Sequence, residues 1–268
     1  METKGPSMKN IVITGSTRGI GLAMAQAFLK AGCNVTLSGR YEANPQLMDE
    51  LKAYSTKIQY VSCNVQDPVQ LERLWDQAIK QWGSIDCWIN NAGQNAPHKM
   101  AHETDFKDTH AVIATNLTGM IYGSQIAARN MIKQGHGQIW NMEGLGSNNM
   151  IQVKTILYGT TKHALTYFTK GLAKELQGTP VLIGRLSPGM MLTDFITKGP
   201  DGQTSDVLQN KNFQFIFNNL GDHPETVAEF FIPRILNNTK NDAHLVWLSN
   251  MKAGWRLLSS PLKKRKLI

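Results

Sequence analysis

The chain has 268 residues, a mass of 29.8 kDa and a formal net charge of +8, with 41% hydrophobic and 18% charged residues. The apolar share is ample for one large core, and the modest charge argues against disorder. No run approaches the ~20 apolar residues of a membrane-spanning helix. Residues 1–9 have no apolar core of signal-peptide length, which argues against secretion. Residues 1–8 are interpreted as an N-terminal extension outside the fold.

The cysteines, the histidines and the charges argue against three further classes: disulfide-bonded, metal-binding and nucleic-acid-binding proteins. Cys33, Cys63 and Cys87 form no C-x-x-C pair, which predicts reduced thiols in a cytoplasmic protein. The seven histidines show no ligand spacing, so no metal site is predicted. Four positive charges cluster at residues 263–266, and the rest of the chain lacks a basic face with interleaved aromatic residues. Nucleic-acid binding is therefore not expected.

Short β-rich runs alternate with helical patterns in chain order. The predicted strands are residues 10–14, 34–38, 58–62, 85–90, 138–141, 181–186 and 244–248. The predicted helices are residues 19–31, 69–82, a long region ending near 133, 158–177 and 225–236. This alternation predicts an α/β fold: a doubly wound, Rossmann-type parallel sheet with helices on both faces. No linker or repeat divides it, so one domain is predicted over residues 9–250.

The alternation loosens after Pro188 and Gly189. Residues 194–224 mix phenylalanines with Gly, Asn and Gln, and a long irregular segment is typical of a binding loop or lid. Together with Met190–Leu192, this loop predicts an apolar substrate pocket, with ordinary core packing as the alternative. Residues 251–268 form a basic amphipathic tail, for which weak contact with an anionic membrane surface is one interpretation. The other is a tail that is solvated or packed on a neighbouring subunit.

A glycine-rich turn, TGSTRGIG at residues 14–21, joins the first strand to the first helix. Glycines permit a tight turn and let backbone N–H groups approach a pyrophosphate at a helix N-terminus. The G-x-x-x-G-x-G spacing alone is weak evidence, because such a turn is often only a turn. Its position at the first strand–helix junction favours dinucleotide binding.

The residues after the second strand predict which nicotinamide dinucleotide binds. An acidic residue there would hydrogen-bond a ribose 2′-hydroxyl and repel a 2′-phosphate. This chain has Ser38-Gly39-Arg40 instead, with Arg18 in the glycine turn. Two guanidinium groups can bind a dianionic phosphate, so NADP(H) is predicted over NAD(H). The alternative is that both arginines are solvated surface residues.

Tyr158 and Lys162 are one helical turn apart, which places both side chains on one face of a helix. An isolated phenol has a pKa near ~10 and is a poor acid or base at neutral pH. A nearby cation favours the phenolate and lowers that pKa. The pair predicts a proton-transfer site, although this spacing is also common by chance.

Five motifs occur in order at sensible intervals: the glycine turn, Asn90-Asn91-Ala92-Gly93, Asn116, Tyr158-x3-Lys162 and Pro188-Gly189. Their combination resembles the short-chain dehydrogenase/reductase family over about residues 9–194. The segment NMEGLGS followed by YGTTK also resembles, locally, the chlorophyll(ide) b reductase branch of that family. The family resemblance implies a homodimer or homotetramer, although the usual glycine-rich C-terminal segment is missing here.

The resemblance also implies where the cofactor lies. The pyrophosphate would lie on the glycine turn, the adenine beside the third strand, the adenosine ribose beside the fourth, and the nicotinamide carboxamide near Thr193. The implied cofactor-binding residues are Gly15, Ser16, Thr17, Arg18, Gly19, Ile20, Gly21, Arg40, Asn64, Val65, Asn91, Ala92, Gly93, Tyr158, Lys162, Pro188, Gly189 and Thr193.

The resemblance assigns roles to three catalytic residues. Tyr158 would protonate a carbonyl oxygen as hydride arrives at the carbon. Lys162 would bind the nicotinamide ribose and lower the pKa of Tyr158. Asn116 would bend its helix and hold a water in the proton relay.

One departure from the family concerns the serine that usually polarises the substrate carbonyl. About thirteen residues before the tyrosine this chain has Leu145, and alignment on Asn141 places Gly144 there instead. Ser147 is the nearby hydroxyl, and a shifted loop would bring its oxygen to the same point. Ser147 is therefore assigned the polarising role, with a turn serine as the alternative. Glu143 is a further candidate, but it would have to be protonated to donate.

These observations predict an NADP(H)-dependent oxidoreductase that interconverts a carbonyl and an alcohol on a bulky hydrophobic substrate. Steroid-like, tetrapyrrole and other lipophilic carbonyls all fit. The alternative is a catalytically weak protein that binds NADP(H) as a sensor or scaffold, for which the displaced serine is the supporting feature. A third hypothesis is a membrane-surface protein bound through its tail.

Overall fold

The computed structural model describes residues 8–197, 206–260 and 265–268, and within these it contains a seven-stranded sheet. The strands are β1 (Asn10–Ile13), β2 (Asn34–Gly39), β3 (Ile58–Ser62), β4 (Cys87–Asn90), β5 (Gly137–Met142), β6 (Val181–Ser187) and β7 (Ala243–Val246). They lie in the order β3-β2-β1-β4-β5-β6-β7, and every neighbouring pair is parallel. The predicted doubly wound parallel sheet is confirmed.

Helices follow nearly every strand. They are α1 (Gly19–Lys30), α2 (Pro45–Glu50), α3 (Pro68–Trp82), α4 (Phe106–Ile113), α5 (Gly119–Gln134), α6 (Ile156–Glu175), α7 (Asp194–Thr197), α8 (Lys211–Leu220), α9 (Pro224–Leu236) and α10 (Asn250–Leu258). A π-helical turn, Ala114–Thr118, joins α4 to α5, and short 3₁₀ turns cover Lys52–Tyr54, Ala101–Glu103 and Asp206–Gln209. None of the helices in the described ranges is long and apolar enough to cross a membrane.

Two apolar cores lie on opposite faces of the sheet, because successive strand residues point to opposite sides. Ile11 and Ile13 pack with residues of α1 and α9 on one face. Val12 packs with residues of α3 and α5 on the other. The three cysteines are free thiols buried within these layers.

The segment predicted as an irregular substrate loop contains a helix, α8. Asn210 caps it by accepting hydrogen bonds from the N–H groups of Asn212 and Phe213. Phe213 and Phe217 stack one turn apart at 5.4 Å, and Phe217 is fully buried. The loop prediction missed the helical spacing of these phenylalanines. Phe217 packs in the core, which was the alternative to lining a substrate pocket. Residues 198–205 of this loop lie outside the described residues, as do residues 1–7 of the predicted extension.

The C-terminal residues pack on the domain. Arg265 donates to the carbonyls of Asn219 and Gly221 and to the Asp222 carboxylate. The N–H groups of Leu267 and Ile268 both donate to Asn218 Oδ1. A solvated tail is therefore wrong for residues 265–268, whereas residues 261–264 lie outside the described ranges.

Candidate active site

The order of the strands creates a crevice at one edge of the sheet. Connections run to opposite sides from β1 and from β4, and ligands of such folds bind where this reversal occurs, at the carboxyl ends of the strands. The glycine turn follows β1, and the segments 91–93, 143–147 and 188–193 follow β4, β5 and β6. All four lie at that same edge.

Close backbone packing explains the spacing of the glycines after β1. Gly15 has a φ of +63°, and a Cβ there would lie 2.7 Å from the Cα of Ala92. A Cβ on Gly21 would overlap the carbonyl of Gly15 and lie 2.5 Å from Asn91 Nδ2. Both positions exclude a side chain, so the turn adopts one shape.

Asn91 and Ala92 connect the turn after β4 to the glycine turn. Asn91 Nδ2 donates to the carbonyls of Thr14 at 3.0 Å and Gly15 at 2.8 Å. The N–H groups of Asn91 and Ala92 donate to Thr14 Oγ1 at 3.0 and 3.1 Å. These predicted cofactor residues thus also hold the glycine turn in place.

Ser16 and Thr17 are predicted cofactor residues that face the end of β2. Ser16 is fully buried; its Oγ donates to the Ile13 carbonyl and accepts from the N–H of Ser38, each at 2.9 Å. Thr17 Cγ2 would lie 2.7 Å from a Cβ on Gly39. Ser16 is therefore occupied in bracing the turn, and the close contact at Gly39 brings the turn beside the start of the segment that carries Arg40.

The crevice offers an open cradle at the start of α1. Gly19 has a φ of +57°, and a Cβ there would meet only Thr193, at 3.5 Å from its Cγ2. The N-cap residue of α1, Arg18, makes no side-chain capping hydrogen bond, so the first N–H groups of the helix are left for a ligand. These features fit a bound pyrophosphate. Thr193 thus lies across the crevice from the glycine turn, beyond the left-handed Gly189 (φ +73°).

The remaining cofactor positions differ in accessibility. Arg18 and Arg40 are exposed, and the Arg40 guanidinium lies 5.8 Å from the centre of the Tyr41 ring. Asn64 Oδ1 accepts from the N–H of Gln66 at 3.2 Å, and Val65 is buried. Ile20, Gly93 and Pro188 line the same edge as parts of α1 and the turns after β4 and β6.

Tyr158, Lys162 and Gly144 meet at the start of α6. Lys162 Nζ donates to the carbonyl of Met142 at 2.8 Å and lies 5.8 Å from the centre of the Tyr158 ring. A Cβ on Gly144 would overlap the Tyr158 hydroxyl and lie 3.3 Å from Lys162 Cε. The loop after β5 therefore presents bare backbone to the phenol. This is the position where alignment on Asn141 places the family serine.

Burial controls the ionisation of the Tyr158–Lys162 pair. It raises the pKa of Tyr158 above its ordinary value. It also lowers the pKa of Lys162 to about 8, while the negative charge of Glu143 acts in the opposite direction. The predicted lowering of the Tyr158 pKa by Lys162 does not match this direction, because burial disfavours the charged phenolate.

Ser147 makes the contacts of a turn serine. Its Oγ accepts from the N–H of Gly144 and donates to the carbonyl of Lys162, each at 3.2 Å. These bonds fold the 144–147 loop onto α6. The substrate-polarising role predicted for Ser147 is not supported, because its hydroxyl is engaged with the backbone.

Glu143 is an ionised buried carboxylate, 4% exposed. Burial alone would raise its pKa, but hydrogen bonding and charge from His244, the charge of Arg185 and a hydrogen bond from Thr166 bring that pKa below its ordinary value. The hypothesis that Glu143 donates a proton to substrate is therefore wrong, since it would need the protonated form.

Asn116 lies in the π-helical turn, as a residue that bends its helix should. Its Oδ1 accepts from the Gln94 N–H at 2.8 Å, and its Nδ2 donates to the Gln94 carbonyl at 2.9 Å. A longer bond of 3.4 Å joins Nδ2 to Thr161 Oγ1, next to Lys162. Sequence reasoning missed Gln94 and Thr161.

Arg185 was also missed, although the sequence carried a signal for it. A buried strand of a parallel sheet is normally apolar throughout, and a charge within VLIGRLS predicts a buried partner.

Among the described residues, no group of three or more His, Cys, Asp or Glu side chains could hold a metal ion.

A comparison with known protein families identifies the family of this chain. A sequence profile for short chain dehydrogenase matches residues 9–203. The chain therefore belongs to the short-chain dehydrogenase/reductase family.

Relatives within the family confirm the resemblance predicted from the NMEGLGS segment. The chain is 35% identical to "Probable chlorophyll(ide) b reductase NYC1, chloroplastic" of Arabidopsis thaliana, over 85% of this chain and 48% of that protein, so it spans about half the length of that relative. It is 33% identical to "Chlorophyll(ide) b reductase NOL, chloroplastic" of Oryza sativa subsp. japonica, over 93% of this chain and 74% of that protein.

A solved structure shares the fold. "ElxO with NADP Bound" is 26% identical, with a TM-score of 0.78, covering 92% of this chain and 99% of that chain. The family and this structure together support a nicotinamide cofactor.

Proposed function

We propose that the protein is an NADP(H)-dependent oxidoreductase that interconverts a carbonyl and an alcohol on a bulky lipophilic substrate. The observation that carries this proposal is the position of the Tyr158 hydroxyl against the bare backbone of Gly144, beside the buried Lys162. This group lies at the same sheet edge as the glycine turn, so a phenol and a dinucleotide cradle share one crevice.

The residues divide the proton chemistry between them. When bound, the nicotinamide supplies hydride to the carbonyl carbon. Tyr158 is kept protonated by burial, which is the form that can donate to the carbonyl oxygen. As the phenol loses its proton, the nearby positive charge of Lys162 stabilises the phenolate. Asn116 fixes the helical turn against Gln94, which keeps this side of the crevice in one shape.

Gly144 alters how the carbonyl is polarised. The family serine would add a second hydroxyl beside the tyrosine, whereas here no side chain extends from that position. We propose that Tyr158 is the hydrogen-bond donor to the carbonyl oxygen at this site. The Tyr158 hydroxyl itself occupies the place that a serine Cβ would take.

The preference for NADP(H) rests on charge at the end of β2. Arg18 and Arg40 are exposed at the adenosine end. Glu42, the nearest carboxylate that follows β2, accepts a hydrogen bond from Ser62 Oγ at 3.3 Å. A 2′-phosphate would thus contact the two guanidinium groups. The Glu42 carboxylate would not face it, because it is bonded to Ser62 in β3.

The class of substrate rests on two supports. Relatives at 33–35% identity are named as chlorophyll(ide) b reductases, which act on a large lipophilic macrocycle. In addition, α8 lies in the segment predicted as the substrate loop, and its Phe215 and Ile216 are 54% and 43% exposed. Chlorophyllide b and steroid ketones are therefore the carbonyl compounds to test first.

The test is NADPH oxidation by the purified protein with these carbonyl compounds, followed by the absorbance of the reduced nicotinamide. Tyr158→Phe should lower turnover on the order of 10²-fold or more, because the proton donor is lost. NADPH binding, measured by calorimetry, should be retained. Tyr167→Phe is the matched control, since Tyr167 lies on the same helix and is 81% exposed. Unchanged turnover in Tyr158→Phe would remove the proposed acid.

A sensor or scaffold is the second candidate function, and the glycine in place of the serine favours it. It predicts tight NADPH binding and no turnover with any carbonyl compound of the panel.

We also propose that α10 contacts an anionic membrane surface weakly. Met251, Trp255 and Leu258 form one stripe and are 85%, 66% and 79% exposed. Sedimentation with anionic and with neutral vesicles tests this contact: Trp255→Ala should weaken binding to anionic vesicles, and equal sedimentation of the variant would contradict it.

A homodimer or homotetramer is proposed as the state in solution. Phe106 on α4 is 91% exposed and is the aromatic residue that we propose for a contact between subunits. Light scattering on the purified protein distinguishes these states from a monomer.

A further inference from the structure

The sheet beneath α6 carries a buried charged cluster that the proposed proton transfer does not use directly. Glu143 follows β5, Arg185 lies in β6 and His244 lies in β7. Arg185 Nη1 donates to Glu143 Oε1 at 3.4 Å, and His244 Nε2 lies 2.8 Å from Glu143 Oε2. Glu143 and Arg185 are 4% and 7% exposed, and charges so deeply buried are costly unless they are paired.

Two structural connections join Glu143 to Lys162. The Lys162 ammonium donates to the carbonyl of Met142, the residue directly before Glu143. One turn further along α6, Thr166 Oγ1 lies 3.0 Å from Glu143 Oε1 and 3.1 Å from the carbonyl of Lys162. The carboxylate and the ammonium are therefore held by the same strand end and the same helix turn.

We infer that Glu143 is a positioning residue, which holds a negative charge beside the buried Lys162 and so keeps that lysine protonated where it faces Tyr158. The effect on reaction rate rests on the proposed function. The effect on the charge of Lys162 does not, because it is a property of the folded chain.

The charged groups around Lys162 and Glu143 decide whether Lys162 is protonated near neutral pH. Burial lowers the pKa of Lys162 to about 8, and Glu143 is the group that acts to raise it. Arg185 from β6 and His244 from β7 face the carboxylate and favour its ionised form. Tyr158 faces Lys162 from α6, and burial keeps this phenol neutral. Removal of Glu143 should therefore bring the titration of Lys162 into the neutral range.

Asp242 provides an internal comparison. It lies 3.3 Å from Arg185 Nη2 at the outer end of the cluster, and its side chain is 48% exposed. It belongs to the same ion network but has no bond to α6 among the described hydrogen bonds. Neutralising Asp242 should therefore change the cluster without changing Lys162.

The experiment compares Glu143→Gln with Asp242→Asn. Glutamine keeps the shape and an acceptor oxygen but removes the charge. The protonation of Lys162 is followed by ¹³C NMR of protein labelled at lysine Cε, with the resonance assigned from a Lys162→Arg sample. We expect the Lys162 titration midpoint to fall by about one pH unit or more in Glu143→Gln, a tenfold change in proton affinity. In Asp242→Asn it should not move.

The kinetic measurement is the pH profile of turnover with NADPH and an accepted carbonyl. The alkaline limb of Glu143→Gln should shift to lower pH by the same amount as the NMR midpoint. A uniform loss of activity at every pH, with the Lys162 titration unmoved, would overturn the proposal and leave Glu143 a packing role. If the wild-type protein reduces no carbonyl, the proposed function fails, while the lysine titration still decides this inference.

A second variant covers the case in which Glu143→Gln does not fold. Glu143→Gln with Arg185→Met leaves no unpaired charge from this pair in the interior. Because the carboxylate is the charge that acts on Lys162, the Lys162 midpoint should still fall below the wild-type value. A midpoint equal to the wild-type value in this folded double variant would also overturn the proposal.

Discussion

Between β1 and β4 the shape of the crevice depends on close packing at glycines, whereas beyond β5 it depends on a loop and on helices that fold onto the sheet. On the first side, Gly15 and Gly21 pack so closely against the segment at Asn91 that a Cβ does not fit. On the second side, the loop at Gly144 and the helix α8 are held by side-chain hydrogen bonds. Where backbone segments pack this closely, only glycine fits at certain positions, so the site can be recognised from the spacing of glycines in the sequence. A site built from side-chain contacts can keep the same chemistry with different residues.

The largest effect should come from the backbone side. Gly21→Ala places a methyl group against the Gly15 carbonyl and Asn91 Nδ2. We expect loss of NADPH binding and a free energy of unfolding lower by about 1–3 kcal/mol, as for other overpacked sites. Calorimetric titration and urea unfolding measure the two effects.

Gly171→Ala is the matched control for that substitution. Gly171 lies in α6, and nothing lies within 4 Å of an added Cβ. Alanine there should raise the free energy of unfolding by about 0.5–1 kcal/mol and leave NADPH binding unchanged. If Gly21→Ala behaved like this control, the close packing of the glycine turn would be wrong.

The next effect tests the substrate side. Gly144→Ser restores the hydroxyl typical of the family, but its Cβ would overlap the Tyr158 hydroxyl. The ring must then move, and a displaced proton donor should lower turnover by about 10²-fold. NADPH binding should stay within a few-fold of the wild-type value. An increase in turnover would show instead that the chain lacks a serine for which it has room.

The sequence predicted the sheet and the position of the glycine turn well, because both leave local signals. Alternating strands and helices, with glycines at the first turn, follow from packing rules that act over a few residues. The position of Ser147 could not be predicted, since its hydrogen bonds to Gly144 and Lys162 depend on how a loop folds onto a helix fifteen residues later. The pKa of Tyr158 was predicted in the wrong direction, because spacing reveals the neighbouring cation but not the burial. α8 was missed because its capping residue, Asn210, lies within a polar segment that resembles a loop.

A third prediction concerns the link between the substrate side and the C-terminus. Asp222 is 5% exposed and accepts hydrogen bonds from Trp247 Nε1, Arg256 Nη1 and Arg265 Nη2, each at 2.7 Å. Burial would raise its pKa, but these bonds hold the pKa below the ordinary value. Asp222→Asn should lower the free energy of unfolding by about 1.5–3 kcal/mol at pH 7, since charge-assisted bonds are lost.

The pH dependence gives this prediction its sign. A carboxyl group with a pKa lowered by folding stabilises the protein above its ordinary pKa, and this stabilisation is lost as the pH falls through the lowered value. The difference between wild type and Asp222→Asn should therefore shrink below about pH 4. Urea unfolding at pH 7 and at acid pH measures it, with the exposed Asp242→Asn as a control that changes little. A difference that is independent of pH would mean that the Asp222 charge is not responsible.

The smallest effect concerns the choice between the two dinucleotides. Arg40→Ala should weaken NADPH binding by about tenfold, because one guanidinium near the proposed 2′-phosphate is lost, and it should leave NADH binding unchanged. Fluorescence titration with both cofactors measures the ratio, and added salt should reduce the difference. Arg129→Ala is the control, because Arg129 lies on α5 in an exposed ion pair with Glu72. Equal weakening for NADPH and NADH would place Arg40 near a group that both cofactors share, and no weakening would make it a solvated surface residue. In either of these outcomes Arg40 would not select between the two cofactors, and Arg18 would be the remaining candidate for recognising the 2′-phosphate.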